Sequence, residues 1–352
     1  MPVITGTTST RLAGLIRTTA LTAGVPATEL DAISPSVNPA VLADDQLRVP
    51  TEWAWRAWEL IDATAGPGSG LLATAAAGHG GLHVWDYLFT CAPTLAESVR
   101  IAIGLRGVVT DPGVDWVVEV DGRLLTIRET TAIEPDGVLP PIQEFMLSIM
   151  LRRVREATGQ RLVPVRVAFS HSATHRYRHL VDEFGTTRID FGAPCAEITF
   201  LDAGDLPTGT DPYLGAMVRK YAELLLTTSR PAPDWRTTLH DTVIGALRDG
   251  DTSLEEAARR LQISPRTLQR RLYELGTSWR QEVESVRRDN AIQLMRHTDL
   301  PVQSVAARLG YTDARTLRRA IRRWSGQGVT DFRRDLRDTD SIGSPGSSGI
   351  RR

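Results

Sequence analysis

Two short stretches carry the side chains best suited to chemistry: Arg266, Gln269 and Arg270 in one, and Ala314, Arg315, Arg318, Arg319 and Arg322 in the other. Each surrounds a pair of apolar residues four apart, Leu268 with Leu272 and Leu317 with Ile321. On a helix such a pair faces inward and leaves its polar neighbours outside, with Arg271 an open alternative. An arginine fork pairs with guanine O6 and N7, and a glutamine amide with adenine N6 and N7. One good bidentate pair contributes roughly 1–3 kcal/mol of discrimination between bases. Some of these arginines should meet phosphate instead, which positions a protein without specifying a sequence.

Short, well-capped helices must position both stretches. Ser253 can cap a helix from Leu254 to Leu261, with Glu256 completing a capping box. After Gln262-Ile263, Ser264 caps again, and Pro265 takes the first helical position, where a missing N–H costs nothing. This second helix should run to Leu275 and stop at Gly276. A short helix, a tight turn and a capped second helix make a helix-turn-helix layout. The arrangement recurs about 48 residues later. There Asp299 is the expected cap, Pro301 the first helical position and Val302–Leu309 the short helix. Gly310 supplies a left-handed turn, and Thr312 caps a helix to Trp324. Ala257-Ala258-Arg259-Arg260-Leu261 aligns with Val305-Ala306-Ala307-Arg308-Leu309. One inserted residue then brings Leu268, Arg270 and Leu272 onto Leu317, Arg319 and Ile321. A long helix, Trp279–His297, bridges the two units.

Charge follows the same division. Residues 1–230 hold 19 Lys+Arg against 26 Asp+Glu, a balance of −7, and residues 231–352 hold 22 against 16, a balance of +6. Positive charge gathered at one end points to a phosphate-bearing partner there. All of it is arginine; Lys220 is the sole lysine in the chain. At 352 residues the chain suits two or three domains. Cys91 and Cys195, the only cysteines, are too few for a disulfide framework or a cysteine-based zinc site. No apolar run of eighteen residues exists, and Met1-Pro2-Val3-Ile4-Thr5-Gly6 lacks the character of a secretory signal, so a cytoplasmic protein without membrane contact is expected.

The natural boundary is the stretch Thr227-Thr228-Ser229-Arg230-Pro231-Ala232-Pro233, which cannot continue a helix. The expected organisation is an α+β sensor domain over 1–228, a linker at 229–233, an all-α domain with two helix-turn-helix units over 234–338, and a disordered polar tail at 339–352. In the first part, residues 10–23, 51–64, 94–106, 141–157 and 176–184 have helical patterning. Trp116–Ile127 reads as a hairpin turning at Asp121-Gly122, and Val163–Ser170 and Ala196–Leu201 read as strands. Pro212–Leu226 is a further helix, with Leu214, Met217, Val218, Tyr221, Leu224 and Leu225 at helical spacing. It is the candidate dimer contact, packing onto the sensor's own core being the alternative.

Residues 253–334 resemble the DNA-binding domain of AraC/XylS transcription regulators, a match carried by three stretches. They are Ala257 through Leu272, then Val305-Ala306-Ala307-Arg308-Leu309-Gly310-Tyr311, then Arg319-Ala320-Ile321-Arg322-Arg323-Trp324-Ser325-Gly326, closing with Asp331-Phe332-Arg333. The resemblance implies two recognition helices entering successive major grooves, about 34 Å apart. The family usually has phenylalanine where Tyr311, Leu317 and Ile321 stand, and proline where Val329 stands. Its second recognition helix is seldom so rich in arginine, which predicts strong phosphate affinity, a GC-leaning site and a steep salt dependence. Thr94-Leu95-Ala96-Glu97-Ser98-Val99-Arg100 resembles a stretch of the arabinose-binding-like sensing domain of one AraC subgroup. So do Phe169-Ser170-His171, Tyr177, Phe184-Gly185 and Asp190-Phe191-Gly192-Ala193-Pro194. This implies sensing of a small molecule and dimerisation.

Other constellations carry less. His171, His175 and His179 lie four apart, as do His79 and His83, the spacing of stacked metal ligands on a helix. No cysteine or suitably placed glutamate strengthens them, and no metal or cofactor is expected. Gly78-His79-Gly80-Gly81 lacks the lysine of a phosphate loop and reads as a tight turn. No nucleophile motif appears, so no enzyme activity is expected. Trp53, Trp55, Trp58, Trp85 and Trp116 could line an effector pocket or form core. The expected partners are double-stranded DNA, RNA polymerase, an unidentified small-molecule effector and a second copy of the chain. A ligand-independent DNA-binding protein, or an enzyme domain fused to a DNA-binding domain, is the alternative.

Overall fold

Alternating side chains build the sheets of the first half. The computed structural model describes residues 4–34, 36–130, 139–173, 177–233, 235–261 and 263–341, and the chain divides into two compact units, Met1–Ala232 and Pro233–Arg352. Among the described residues the first has eight strands: β1 (Thr7–Ser9), β2 (Leu47–Pro50), β3 (Trp116–Asp121), β4 (Leu124–Glu129), β5 (Arg166–Phe169), β6 (Ile189–Phe191), β7 (Glu197–Leu201) and β8 (Arg230–Pro231). They form a sheet of order β1-β2-β8 and another of order β3-β4-β7-β5-β6. The larger sheet is antiparallel except where β5 meets β6. On β4 the buried Leu125 and Ile127 alternate with more exposed neighbours, the period-two burial of a strand covered on one face, whereas β5 and β7 are buried at consecutive positions, Val167-Ala168-Phe169 and Ile198-Thr199-Phe200.

Ten α-helices among the described residues belong to this unit: α1 (Thr10–Ala23), α2 (Ala27–Ile33), α3 (Pro39–Leu42), α4 (Thr51–Ala65), α5 (Ser69–Ala76), α6 (Val84–Tyr87), α7 (Leu95–Gly104), α8 (Leu139–Thr158), α9 (Arg178–Phe184) and α10 (Pro212–Thr228). From α4, Trp53, Trp58 and Ile61 face inward, and from α8, Leu147, Leu151 and Val154. All six join one continuous core with the sheet residues. The architecture is thus a mixed helix-and-strand unit followed by a helical one.

Several details depart from the sequence reading. Asp121 pairs with Leu124, so the hairpin loop is Gly122-Arg123, with Gly122 at φ +56°. In the expected linker, β8 pairs with β2 through Leu47 and Arg230. Trp53, Trp58, Trp85 and Trp116 are buried core residues and Trp55 is half-buried. The apolar cavity bordered by Trp85 and Trp116 measures only about 30 Å³, the space of one water. It is packing rather than a ready effector pocket. On α10, Leu214, Met217, Tyr221 and Leu224 are exposed, but Leu225 is 7% exposed and packs into the unit's own core.

Among the described residues seven helices make the second unit: α11 (Trp235–Asp249), α12 (Leu254–Arg260), α13 (Pro265–Glu274), α14 (Trp279–His297), α15 (Val302–Arg308), α16 (Ala314–Ser325) and α17 (Val329–Ser341). The N-terminal half of α14 gives Val283 and Val286 to a cluster with Val243 and Leu247 of α11. Its C-terminal half gives Ala291 and Met295 to the core of the α15–α16 pair. One helix therefore belongs to both halves of the repeat. Residues 342–352 of the expected tail lie outside the described residues. No helix among the described residues is long and apolar enough to cross a membrane.

Candidate nucleic-acid interface

Two buried aliphatic positions set the orientation of each recognition helix. Leu268 and Leu272 of α13 are 0% and 1% exposed and pack on Ala257, Ala258 and Leu261 of the helix before. Leu317 and Ile321 of α16 are both 0% exposed and pack on Val305, Ala306 and Leu309. The turns repeat in their hydrogen bonds. The Ile263 N–H donates to the Ala258 carbonyl at 3.0 Å and the Tyr311 N–H to the Ala306 carbonyl at 3.0 Å. Gly310, at φ +70°, gives the second turn its left-handed residue.

The caps hold the helices' open N–H groups. Ser253 accepts from the Glu256 N–H, and Ser264 from the Thr267 N–H at 3.1 Å. In the second unit the cap of α16 is Asp313, which accepts from the Thr316 N–H at 2.7 Å. Thr312, expected in that role, is the residue inserted relative to the first unit, and the insertion moves the cap one place on. The N–H and hydroxyl of Thr316 hold the Asp313 carboxyl below its ordinary range. Asp299 does not cap α15, whose N-cap is Pro301. Instead it receives Arg337 of α17 at 2.7 Å, an ion pair that ties the last helix to the loop before α15.

With the aliphatic pairs inward, Arg266, Gln269 and Arg270 are exposed on α13, and Arg315, Arg318, Arg319 and Arg322 on α16. Arg270 lies 3.6 Å from Glu274 on its own helix. Those four arginines of α16 make no ion pair among the described residues. One expectation is corrected and one open alternative is closed. Ala314 is 8% exposed at the first position of α16, and its N–H donates to the Gln303 side-chain oxygen at 3.3 Å, so its methyl group is part of the packing. Arg271, the open alternative, is 6% exposed with its guanidinium 5.2 Å from the centre of the Trp235 ring.

A bracing layer stands behind the α16 face. Glu284 of α14 receives the Arg323 guanidinium and, at 3.0 Å, the Trp324 indole N–H. Arg287 donates to the Leu309 carbonyl at 3.1 Å and lies 4.9 Å from the Tyr311 ring centre. Both stand one helix away from the motif they serve, which sequence spacing does not display. Glu256 bonds both Arg259 and Arg260, which hold its carboxyl down to about 2.

The histidines have ordinary partners: His79 meets Glu156 at 3.0 Å, His179 meets Glu144 at 3.1 Å, and His171 meets the Ser172 carbonyl at 3.0 Å. His83 lies 3.5 Å from Asp45, and His175 falls outside the described residues. Among the described residues no group of three or more His, Cys, Asp or Glu side chains could hold a metal ion.

Two family models match the chain, one in each unit. A family model for the helix-turn-helix domain matches residues 257–335. The model for the arabinose-binding domain of AraC transcription regulators, N-terminal, matches residues 34–206. The ornithine utilization regulator of Pseudomonas aeruginosa is 32% identical over 178 residues, 50% of this chain and 52% of the relative, so the match spans about half of that relative's length. The transcriptional regulator VirS of Mycobacterium tuberculosis is 28% identical over 270 residues, 71% of this chain and 76% of the relative. The crystal structure of the transcriptional regulator CdpR from Pseudomonas aeruginosa aligns with a TM-score of 0.40 at 21% identity, covering 81% of this chain and 91% of that one. With an AraC-type sensing module followed by a paired helix-turn-helix module, the chain belongs to the AraC family of transcription regulators.

Proposed function

We propose that this protein is a sequence-specific DNA-binding transcription regulator whose two recognition helices read one duplex. The observation that carries the reading is the pair of exposed faces, Arg266-Gln269-Arg270 and Arg315-Arg318-Arg319-Arg322, each turned outward by buried residues behind it. Such faces offer donors to phosphates and to the edges of guanine and adenine. The reading gives the protein no catalytic role, and its partners are double-stranded DNA and RNA polymerase in the cytoplasm. The direct test is selection of duplexes from a randomised library by the full chain, followed by binding measurements at several salt concentrations. A preferred sequence with a steep salt slope is expected. Equal affinity for all duplexes would sink the reading.

The first unit is proposed to sense a small molecule and to pair two chains. Exposed Tyr213, Leu214, Met217, Tyr221 and Leu224 give α10 an apolar outer face of the kind that partners cover. The buried Leu225 separates two effects. Leu224→Glu should give folded monomers by light scattering, whereas Leu225→Glu should lower the melting temperature by placing a charge in the core. A Leu224→Glu chain of unchanged mass would remove α10 from the dimer contact. Stabilisation of the full chain by one metabolite class in a thermal-shift screen is the expected mark of sensing.

A further inference from the structure

The repeat aligns the outer faces of the two recognition helices residue by residue: Arg266 on Arg315, Gln269 on Arg318, Arg270 on Arg319. One turn further along the same face, the place that Arg322 fills in α16 belongs to Tyr273 in α13. Tyr273 is 83% exposed, more than any other large hydrophobic side chain among the described residues. No hydrogen bond or ring contact among the described residues fixes its side chain. An aromatic ring held in water on the one face that two flanking leucines turn outward is a surface awaiting a partner.

We infer that Tyr273 is a specificity-determining residue of the first unit, its ring lying against the C5-methyl group of a thymine in the major groove. The inference rests on the DNA-reading function proposed above. Tyr273 follows Gln269 by one helical turn, about 6 Å along the axis, or roughly two base-pair steps. The amide that reads adenine and the ring that covers a thymine methyl therefore address neighbouring positions. A phosphate is the poorer partner at this end of α13. Tyrosine brings no charge, and the next residue, Glu274, places a carboxylate there, 3.6 Å from Arg270. In α16 the corresponding residues are Arg322 and Arg323, both cationic. The first half-site accordingly contains an adenine and a thymine, and the second a guanine facing Arg319.

The test uses the full chain and the duplex obtained by selection. Each thymine is replaced in turn by uracil, which removes only the C5-methyl group. Wild type should lose about fourfold in affinity at one thymine of the first half-site, the effect of burying one methyl-sized group. Tyr273→Ala should lose affinity on the thymine duplex and respond to no uracil replacement, whereas Tyr273→Phe should behave as wild type. Because the ring is exposed, neither change should shift the melting temperature. If Tyr273→Ala binds as wild type does, or senses the uracil as strongly, the assignment is overturned while DNA reading stands. If selection yields no preferred duplex, the underlying reading falls and this one with it.

Discussion

The two helix-turn-helix units share a scaffold and differ in what they show to the outside. In both, a pair of buried aliphatic residues anchors the second helix, and the same backbone hydrogen bond closes the turn. The outer face of α13 mixes Arg266, Gln269 and Arg270 with a carboxylate at Glu274, while that of α16 carries arginines alone. Charge without variety gives affinity for any phosphate backbone, and variety without excess charge gives discrimination between bases. The difference teaches that the repeat duplicates a frame and leaves the surfaces free to divide the work; the division proposed here has α16 holding the duplex and α13 selecting along it.

The largest effects test the shared frame. Leu268→Ala and Leu317→Ala each remove a fully buried side chain, and each should cost about 2–5 kcal/mol. Denaturation of the full chain should show losses of similar size. If one change proves nearly neutral, that unit is not built around its leucine and the symmetry fails. Next come the surfaces. Arg315→Ala, Arg318→Ala and Arg322→Ala should each flatten the logarithmic salt dependence of DNA binding by about 0.9 for every phosphate left without its arginine. Arg319→Ala should weaken binding and relax one base position. Gln269→Ala should leave the salt slope unchanged and relax one base preference by roughly 1–3 kcal/mol. Should Gln269→Ala flatten the slope and the changes at Arg315, Arg318 and Arg322 alter base preference instead, the division of labour is reversed.

Legibility follows locality. The second unit is readable because its signals are adjacent in sequence: Ser253 before Glu256, Ser264 before Pro265, Leu268 four from Leu272, and α14 running over the expected Trp279–His297. The misplaced caps have a local explanation as well. Thr312 and Asp313 are both good capping residues, and only the hydrogen bond from the Thr316 N–H decides for Asp313. Asp299 is free to bind Arg337, a residue 38 positions away that no local pattern announces. In the first unit the hairpin and the long amphipathic helices are visible, but β1, β2 and β8 are two to four residues long and exist through pairing with distant partners. On the interface, Arg271 looks as outward as Arg270 in the sequence because burial against Trp235 of α11 depends on the folded unit.

The smallest effect distinguishes the two caps by their chemistry. Ser264 does not titrate near neutral pH, so the start of α13 should keep its cap as pH falls; Ser264→Ala should cost about 1 kcal/mol. Asp313 does titrate, and its carboxyl is held below its ordinary range by the bonds from Thr316. A carboxyl depressed in the folded state stabilises it above the unfolded value and loses that contribution as pH drops through the folded one. The melting temperature of wild type should therefore fall more steeply in acid than that of Asp313→Ser, which keeps an acceptor but cannot be protonated. Glu256 is likewise held down, by Arg259 and Arg260, and is common to both chains, so the difference isolates Asp313. The reciprocal change, Ser264→Asp, should give the first unit the acid sensitivity of the second. If both substitutions leave the acid slope untouched, the caps are equivalent and the two units differ only in their outer faces.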